Sequence, residues 1–352
     1  MSFQLPSSTI TLAAALRDLQ HGSPKARATA AHALGDVSAD MPTITKALIA
    51  ALDDLHALVR AESIASLAQL WSGGTAVRSS GASAGPARAR GAFLDTATTV
   101  PADVMAAICK RLSDGDPAVR QNAAIALGTI GDPAGFAPLA EALATGSADV
   151  RFQAVTSMVE IAPVQSYPLL LGALDDRDHE VVGAAALGLG AIGDGAAVAR
   201  LVPVLEHAKP TVRFDVAYAL AQLGDGRGRA ILATALDDSE RGWDAVLALY
   251  LLGQPADCDV LFGCLNRRQP SDEVKAAAAG ALLRLHDSRS TAAQAVLLKA
   301  LQSRKDHLRG IVVEELRRLA DPWALATLSQ LRSSRKGRAF IDVIDETLAK
   351  AT

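Results

Sequence analysis

The sequence is short of aromatic residues, which make up 4% of its 352 positions, although 50% of the chain is hydrophobic. Alanine and leucine supply most of that apolar mass. A core built on them calls for close helix–helix contact rather than large rings. Cysteine is equally scarce. Three residues, Cys109, Cys258 and Cys264, exclude a disulfide framework and suit a reducing compartment. No apolar run approaches the length of a membrane span. The longest mild stretch, Val181–Gly193, is too short and too rich in glycine. The opening residues, MSFQLPSSTITLAAAL, lack a basic start and an apolar stretch of secretory type. The expectation is a soluble, cytoplasmic protein without membrane insertion. Strand alternation is missing throughout, and with it any glycine-rich phosphate loop that follows a strand.

What is present is a repeat. A Val-Arg step, or its equivalent, recurs with its second residue at Arg27, Arg60, Arg120, Arg151, Val182, Arg213, Gly242, Lys275, Arg309 and Arg338. Most spacings lie between 29 and 34 residues, with one of 60 between Arg60 and Arg120. Each unit reads as two helices: a Leu/Ala run, an Asp-rich turn such as Leu52-Asp53-Asp54, then a second helix. Asp116–Pro117 supplies an N-cap carboxylate and a proline at the first helical position. Gly131, Gly193, Gly224 and Gly253 stand where second helices should end in a left-handed cap. Val119, Ala123, Leu127 and Ile130 form one apolar stripe, which a lone hairpin cannot bury and stacked neighbours can.

The phrase D-x-x-x-x-V-R-x-x-A-x-x-A-L-G-x-I-G-D-P, read at 114–133 and more loosely at 176–194 and 207–225, resembles the bacterial HEAT-like repeats named after phycobilisome lyases. The resemblance implies an all-α solenoid, a right-handed superhelix of about ten HEAT-like hairpins. The expected organisation is repeats 1–2 in 1–71, a Gly/Ser/Ala/Arg-rich insertion in 72–100, repeats 3–9 in 101–320 and a capping repeat in 321–352. The insertion reads either as a surface loop or as a binding arm using Arg78, Arg88 and Arg90. In such families the turn aspartate and the repeated arginine bond within and between repeats, so Asp54, Arg60, Asp114 and Arg120 read as a structural ladder rather than an anion site.

Positions one, five and eight after each ladder site lie opposite the apolar stripe. They collect Phe152, Phe214, Tyr218, Trp243 and Tyr250, five of the thirteen aromatics, with Asp215 and Asp244 as polar neighbours. An exposed aromatic band marks a recognition surface suited to a peptide or helix. The alternative is that curvature buries the rings against adjacent second helices. Charge is uneven as well. Residues 1–266 carry 19 Lys/Arg against 28 Asp/Glu, and residues 267–352 carry 16 against 10. Arg332, Arg335, Lys336 and Arg338 are therefore a second candidate, a contact for an acidic partner.

Chemistry of other kinds finds little support. The iron ligands of deoxyhypusine hydroxylase, a HEAT-type enzyme, are repeated His-Glu pairs after the arginine site. Here the single pair, His179-Glu180, is out of register. HEAT-type DNA glycosylases need a basic cleft, which the face around Tyr218 and Trp243-Asp244 does not offer. Cys258 and Cys264 lack a zinc spacing. The reading that results is a non-catalytic scaffold that docks a protein or peptide partner, with no cofactor, no metal, no small-molecule substrate and no nucleic acid. Two alternatives stay open. One, implied by the resemblance, is a phycobilin-lyase-like chromophore-attachment subunit, a class that generally acts as heterodimers. The other is a nucleic-acid-binding HEAT protein.

Overall fold

In the computed structural model, residues 11–37, 40–72 and 100–351 are described. The insertion expected at 72–100, with Arg78, Arg88 and Arg90, falls almost wholly outside them. The described residues form ten helical hairpins and no strand. Two compact units divide the chain, Met1–Ile192 and Gly193–Thr352.

In the first unit the hairpins are α1/α2 (Leu12–His21, Pro24–Gly35), α3/α4 (Met41–Ala51, Ala57–Trp71), α5/α6 (Ala102–Lys110, Pro117–Ile130), α7/α8 (Phe136–Thr145, Ala148–Ile161) and α9/α10 (Pro163–Ala173, His179–Ile192). The second unit holds α11/α12 (Val198–Leu201, Pro210–Gln222), α13/α14 (Arg229–Ala235, Gly242–Leu252), α15/α16 (Pro255–Asn266, Asp272–Arg284), α17/α18 (Ser290–Leu301, Asp306–Leu319) and α19/α20 (Pro322–Arg332, Ile341–Lys350). In each unit the second helices stack side by side, α2–α4–α6–α8–α10 and α12–α14–α16–α18. The all-α solenoid of hairpins expected from the repeat is the fold.

Local chemistry explains the boundaries. The Asp116 carboxylate accepts hydrogen bonds from the Ala118 and Val119 amides, and Pro117 begins α6 where no amide is required. Gly131, Gly193, Gly224 and Gly253 all adopt positive φ, between 60° and 80°, a conformation costly for residues with a Cβ. Val119, Ala123 and Leu127 are fully buried, as the stripe requires, while Ile130 is half-buried at its end. Ala124 and Ala126 are buried too, because α6 is flanked by both α4 and α8.

The ladder locks neighbouring turns. Arg27 Nε and Nη2 donate to Asp54 at 2.7 and 2.9 Å. Arg60 donates to Asp114 at 2.9 and 2.6 Å, and Arg151 to Asp176 at 2.8 and 2.7 Å. The third arm of each arginine returns to a carbonyl of its own turn, as Arg60 Nη1 does to Asp54 O at 2.8 Å. The Arg60–Asp114 pair joins residues 54 apart in sequence, so hairpins α3/α4 and α5/α6 are consecutive layers despite the residues between them. These arginines are held above their ordinary pKa first by hydrogen bonds to their aspartates. The same hydrogen bonds lead in holding Asp54 and Asp176 below theirs. Where the ladder should continue, Val182 replaces the arginine and His207 the aspartate of the following turn.

The glycine of the Ala-Leu-Gly phrase has a packing reason. A Cβ on Gly128 would lie 2.8 Å from Ser157 Cβ, and one on Gly35 would lie 3.0 Å from Ser66 Cβ. These serines hydrogen-bond the Ala124 and Ala31 carbonyls of the preceding second helix at 2.9 Å. The pairs α2–α4 and α6–α8 therefore each meet at a Gly–Ser contact. Gly128→Ala is expected to force α6 and α8 apart and to cost about 1–3 kcal/mol in urea unfolding. Unchanged stability would show that the contact yields freely.

Candidate functional site

Of the band read from the sequence, six residues lie in the second unit. Phe214, Asp215 and Tyr218 are on α12, and Trp243, Asp244 and Tyr250 are on α14. Phe152, half-buried on α8, belongs to the first unit. The band is not an open wall of rings. Phe214 and Tyr218 are buried, at 6% and 7% exposure, and belong to the core of the second unit. They fill the seam between α12 and α14, and their ring centroids lie 6.5 Å apart. The Arg241 guanidinium sits 5.6 Å from the Phe214 centroid, at a distance suited to cation–π attraction. Tyr250 is half-buried, with Arg284 of α16 at 4.7 Å from its ring centre. Arg284 in turn pairs with the buried Glu315 of α18. Trp243 alone among the five aromatics is exposed, at 38%. The correction is physical: along these helices the next second helix covers the ring positions, leaving the acids and Trp243 at the rim.

Those acids are the chemically distinctive part. Burial pushes the Asp215 carboxyl up to about 6, with Arg241 opposing the shift and Asp244 adding to it. Burial also raises Asp244, and it raises the Tyr218 phenol, to which Asp244 contributes. The consequence for stability has a definite sign. Asp215 is protonated more readily in the folded than in the unfolded chain. Its contribution is therefore neutral below the unfolded value of 3.8 and becomes a penalty as pH rises through about 6. Asp215→Asn is expected to stabilise the protein by on the order of 2 kcal/mol at pH 8, with no gain near pH 3. Urea titrations at the two pH values decide it, and an equal effect at both would refute the assignment.

The second candidate changes more. Arg332 pairs with Asp345, and the Lys336 ammonium donates to Gln302 O at 2.7 Å and Gln302 Oε1 at 3.0 Å. Two of the four cations are thus engaged within the molecule. Arg335 and Arg338 are exposed and have no partner among the described residues. No group of three or more His, Cys, Asp or Glu capable of holding a metal occurs among the described residues. No described helix is long and apolar enough to cross a membrane.

A family model for HEAT repeats matches residues 105–187 and 167–249. A phycocyanobilin lyase subunit alpha from Picosynechococcus sp. is 34% identical over 125 residues, covering 32% of this chain. The match spans 47%, about half, of that relative's length. Among solved structures, yeast importin-beta (Kap95p) superposes with a TM-score of 0.62 at 11% identity, over 97% of this chain and 52% of that one. That likeness is one of fold. The complex of CpcE and CpcF of phycocyanin lyase from Nostoc sp. is also similar, at 21% identity over 84% of this chain and 97% of that one, with a TM-score of 0.36. The expectation of a non-catalytic scaffold, and with it the exclusion of an enzyme and of a small-molecule substrate, is overturned by the likeness to a lyase subunit named for its bilin. The all-α solenoid thus matches HEAT repeats over residues 105–187 and 167–249, and part of the chain is similar to a phycocyanobilin lyase subunit alpha.

Proposed function

We propose that this protein is a subunit of a bilin-lyase-type enzyme, one that holds a linear tetrapyrrole and works with a partner protein in chromophore attachment. The observation that carries the proposal is the 34% identity to phycocyanobilin lyase subunit alpha over 125 residues. The chemistry of the α12–α14 rim supports it. A linear tetrapyrrole offers pyrrole N–H donors, acidic side chains and a flat π face. Asp215 and Asp244 supply acceptors for the donors, Arg241 a guanidinium for an acid, and Trp243 an exposed ring for stacking. A carboxyl with a pKa of about 6 also gives or takes a proton near neutral pH, as general acid–base work requires. Phe152 on α8 has no counterpart of these acids among its immediate neighbours in sequence and is a lesser element of the proposed surface. The cytoplasm is the proposed compartment, which suits the three free cysteines.

Titration of phycocyanobilin into the purified chain, followed by visible absorption and tryptophan fluorescence, tests the reading. Saturable spectral change in the wild type is expected, weakened at least about tenfold in Trp243→Ala/Asp244→Asn. A folded wild type that leaves the bilin spectrum unchanged would overturn it.

A further inference from the structure

The unpaired arginines of the last quarter of the chain come from three successive inter-helix connections. Arg267 of the turn before α16 donates to Asp237 at 3.1 Å in the turn before α14. Lys305, before α18, lies 3.8 Å from Glu273 at the start of α16. Lys336, in the connection before α20, holds Gln302 of the turn before α18. These contacts place the turns one above another along one edge of the second unit. On that edge Arg268, Arg304, Arg335 and Arg338 are exposed, and none has a partner among the described residues. The carboxylates nearby are mostly spent: Glu273 faces Lys305, Asp306 faces Arg309, and Asp345 faces Arg332. Asp272 and Asp342, both exposed, are left against the four arginines.

We infer that this stacked edge is a docking surface for an acidic helix of a partner protein. The inference stands apart from the bilin reading and does not depend on it. Packed helices lie roughly 8–10 Å apart, so the arginines of successive turns recur at about that interval. Seven residues of α-helix rise about 10.5 Å. A helix with glutamates at every seventh position therefore presents carboxylates in step with the turns, and each guanidinium takes a carboxylate with both arms. A nucleic-acid strand fits less well, because its charges recur about every 3.4 Å of axis. The turns themselves, 267–271, 302–305 and 333–338, contain no aromatic residue for base stacking.

The test uses the full chain and fluorescent helix-forming peptides of about 21 residues. One peptide carries paired glutamates every seventh residue, the other the same glutamates in one block. Wild type is expected to bind the spaced peptide at least about tenfold more tightly than the blocked one, with affinity falling as salt rises. Arg268→Ala/Arg304→Ala/Arg335→Ala/Arg338→Ala should lose that binding about tenfold or more while keeping the wild-type thermal melt, since all four side chains are exposed. Equal binding of the two peptides, unchanged binding by the folded variant, or tighter binding of an oligothymidylate of about 20 nucleotides would each overturn the inference.

Discussion

Arg151→Ala is expected to lower the unfolding free energy by about 3–5 kcal/mol, the largest effect of any single change in the ladder. Arg151 is 4% exposed, a burial that a guanidinium tolerates only when its donors are met. Two arms take the Asp176 carboxylate at 2.8 and 2.7 Å, and the third donates to Gly146 O at 3.0 Å. Truncation strands Asp176 with one backbone donor, the Asp178 amide at 2.8 Å. Lysine keeps the charge but cannot form the fork, so Arg151→Lys is expected to lose less than alanine and clearly more than nothing. The pH dependence follows from direction alone. Asp176 is held below its ordinary range, so the stabilisation is present above the unfolded carboxylate value and is lost as pH falls through the folded one. Wild-type and Arg151→Ala stabilities from urea unfolding should therefore converge in acid. A loss below about 1 kcal/mol at neutral pH would show the pair to be no more than a surface salt bridge.

Leu127→Ala is the second large loss, about 2–5 kcal/mol, because Leu127 is fully buried and surrounded by fixed helices. Its distribution matters more than its size. In a stacked array each hairpin rests on its neighbours, so a cavity under α6 should loosen α4, α6 and α8 before the rest of the unit. Native-state hydrogen exchange should show protection falling first in those three helices, with α2 following later. Uniform loss across the unit would mean that the repeats open as one cooperative block.

Much of this fold is written in local chemistry that recurs. Asp116–Pro117, the four left-handed glycines and the Arg60–Asp114 ladder each have a physical demand that few residue types meet, and ten copies make the period plain. The site was less legible. A helical wheel shows that Phe214 and Tyr218 share a face, but not that α14 closes over that face. Likewise Arg332 and Lys336 look like neighbours of Arg335 and Arg338, although Asp345 and Gln302 occupy them. The exposed cations that do belong together, Arg268, Arg304, Arg335 and Arg338, are scattered over about 70 residues and meet only through repeat stacking. The reading against catalysis failed for another reason. Missing metal ligands and nucleophile motifs exclude only the chemistries that use them. A subunit of the proposed kind, holding and protonating a chromophore, needs neither, and the repeat phrase at 114–133 carries architecture rather than activity.

The most direct measurement is the rate at which phycocyanobilin becomes attached to an apo-phycocyanin subunit, read as bilin fluorescence on a denaturing gel. The protein would be supplied alone and together with the companion subunit of a phycocyanobilin lyase. Attachment faster than the spontaneous reaction is expected when the protein is present, with Asp215→Asn/Asp244→Asn at least about tenfold slower. A rate equal to the spontaneous one in every combination would contradict it.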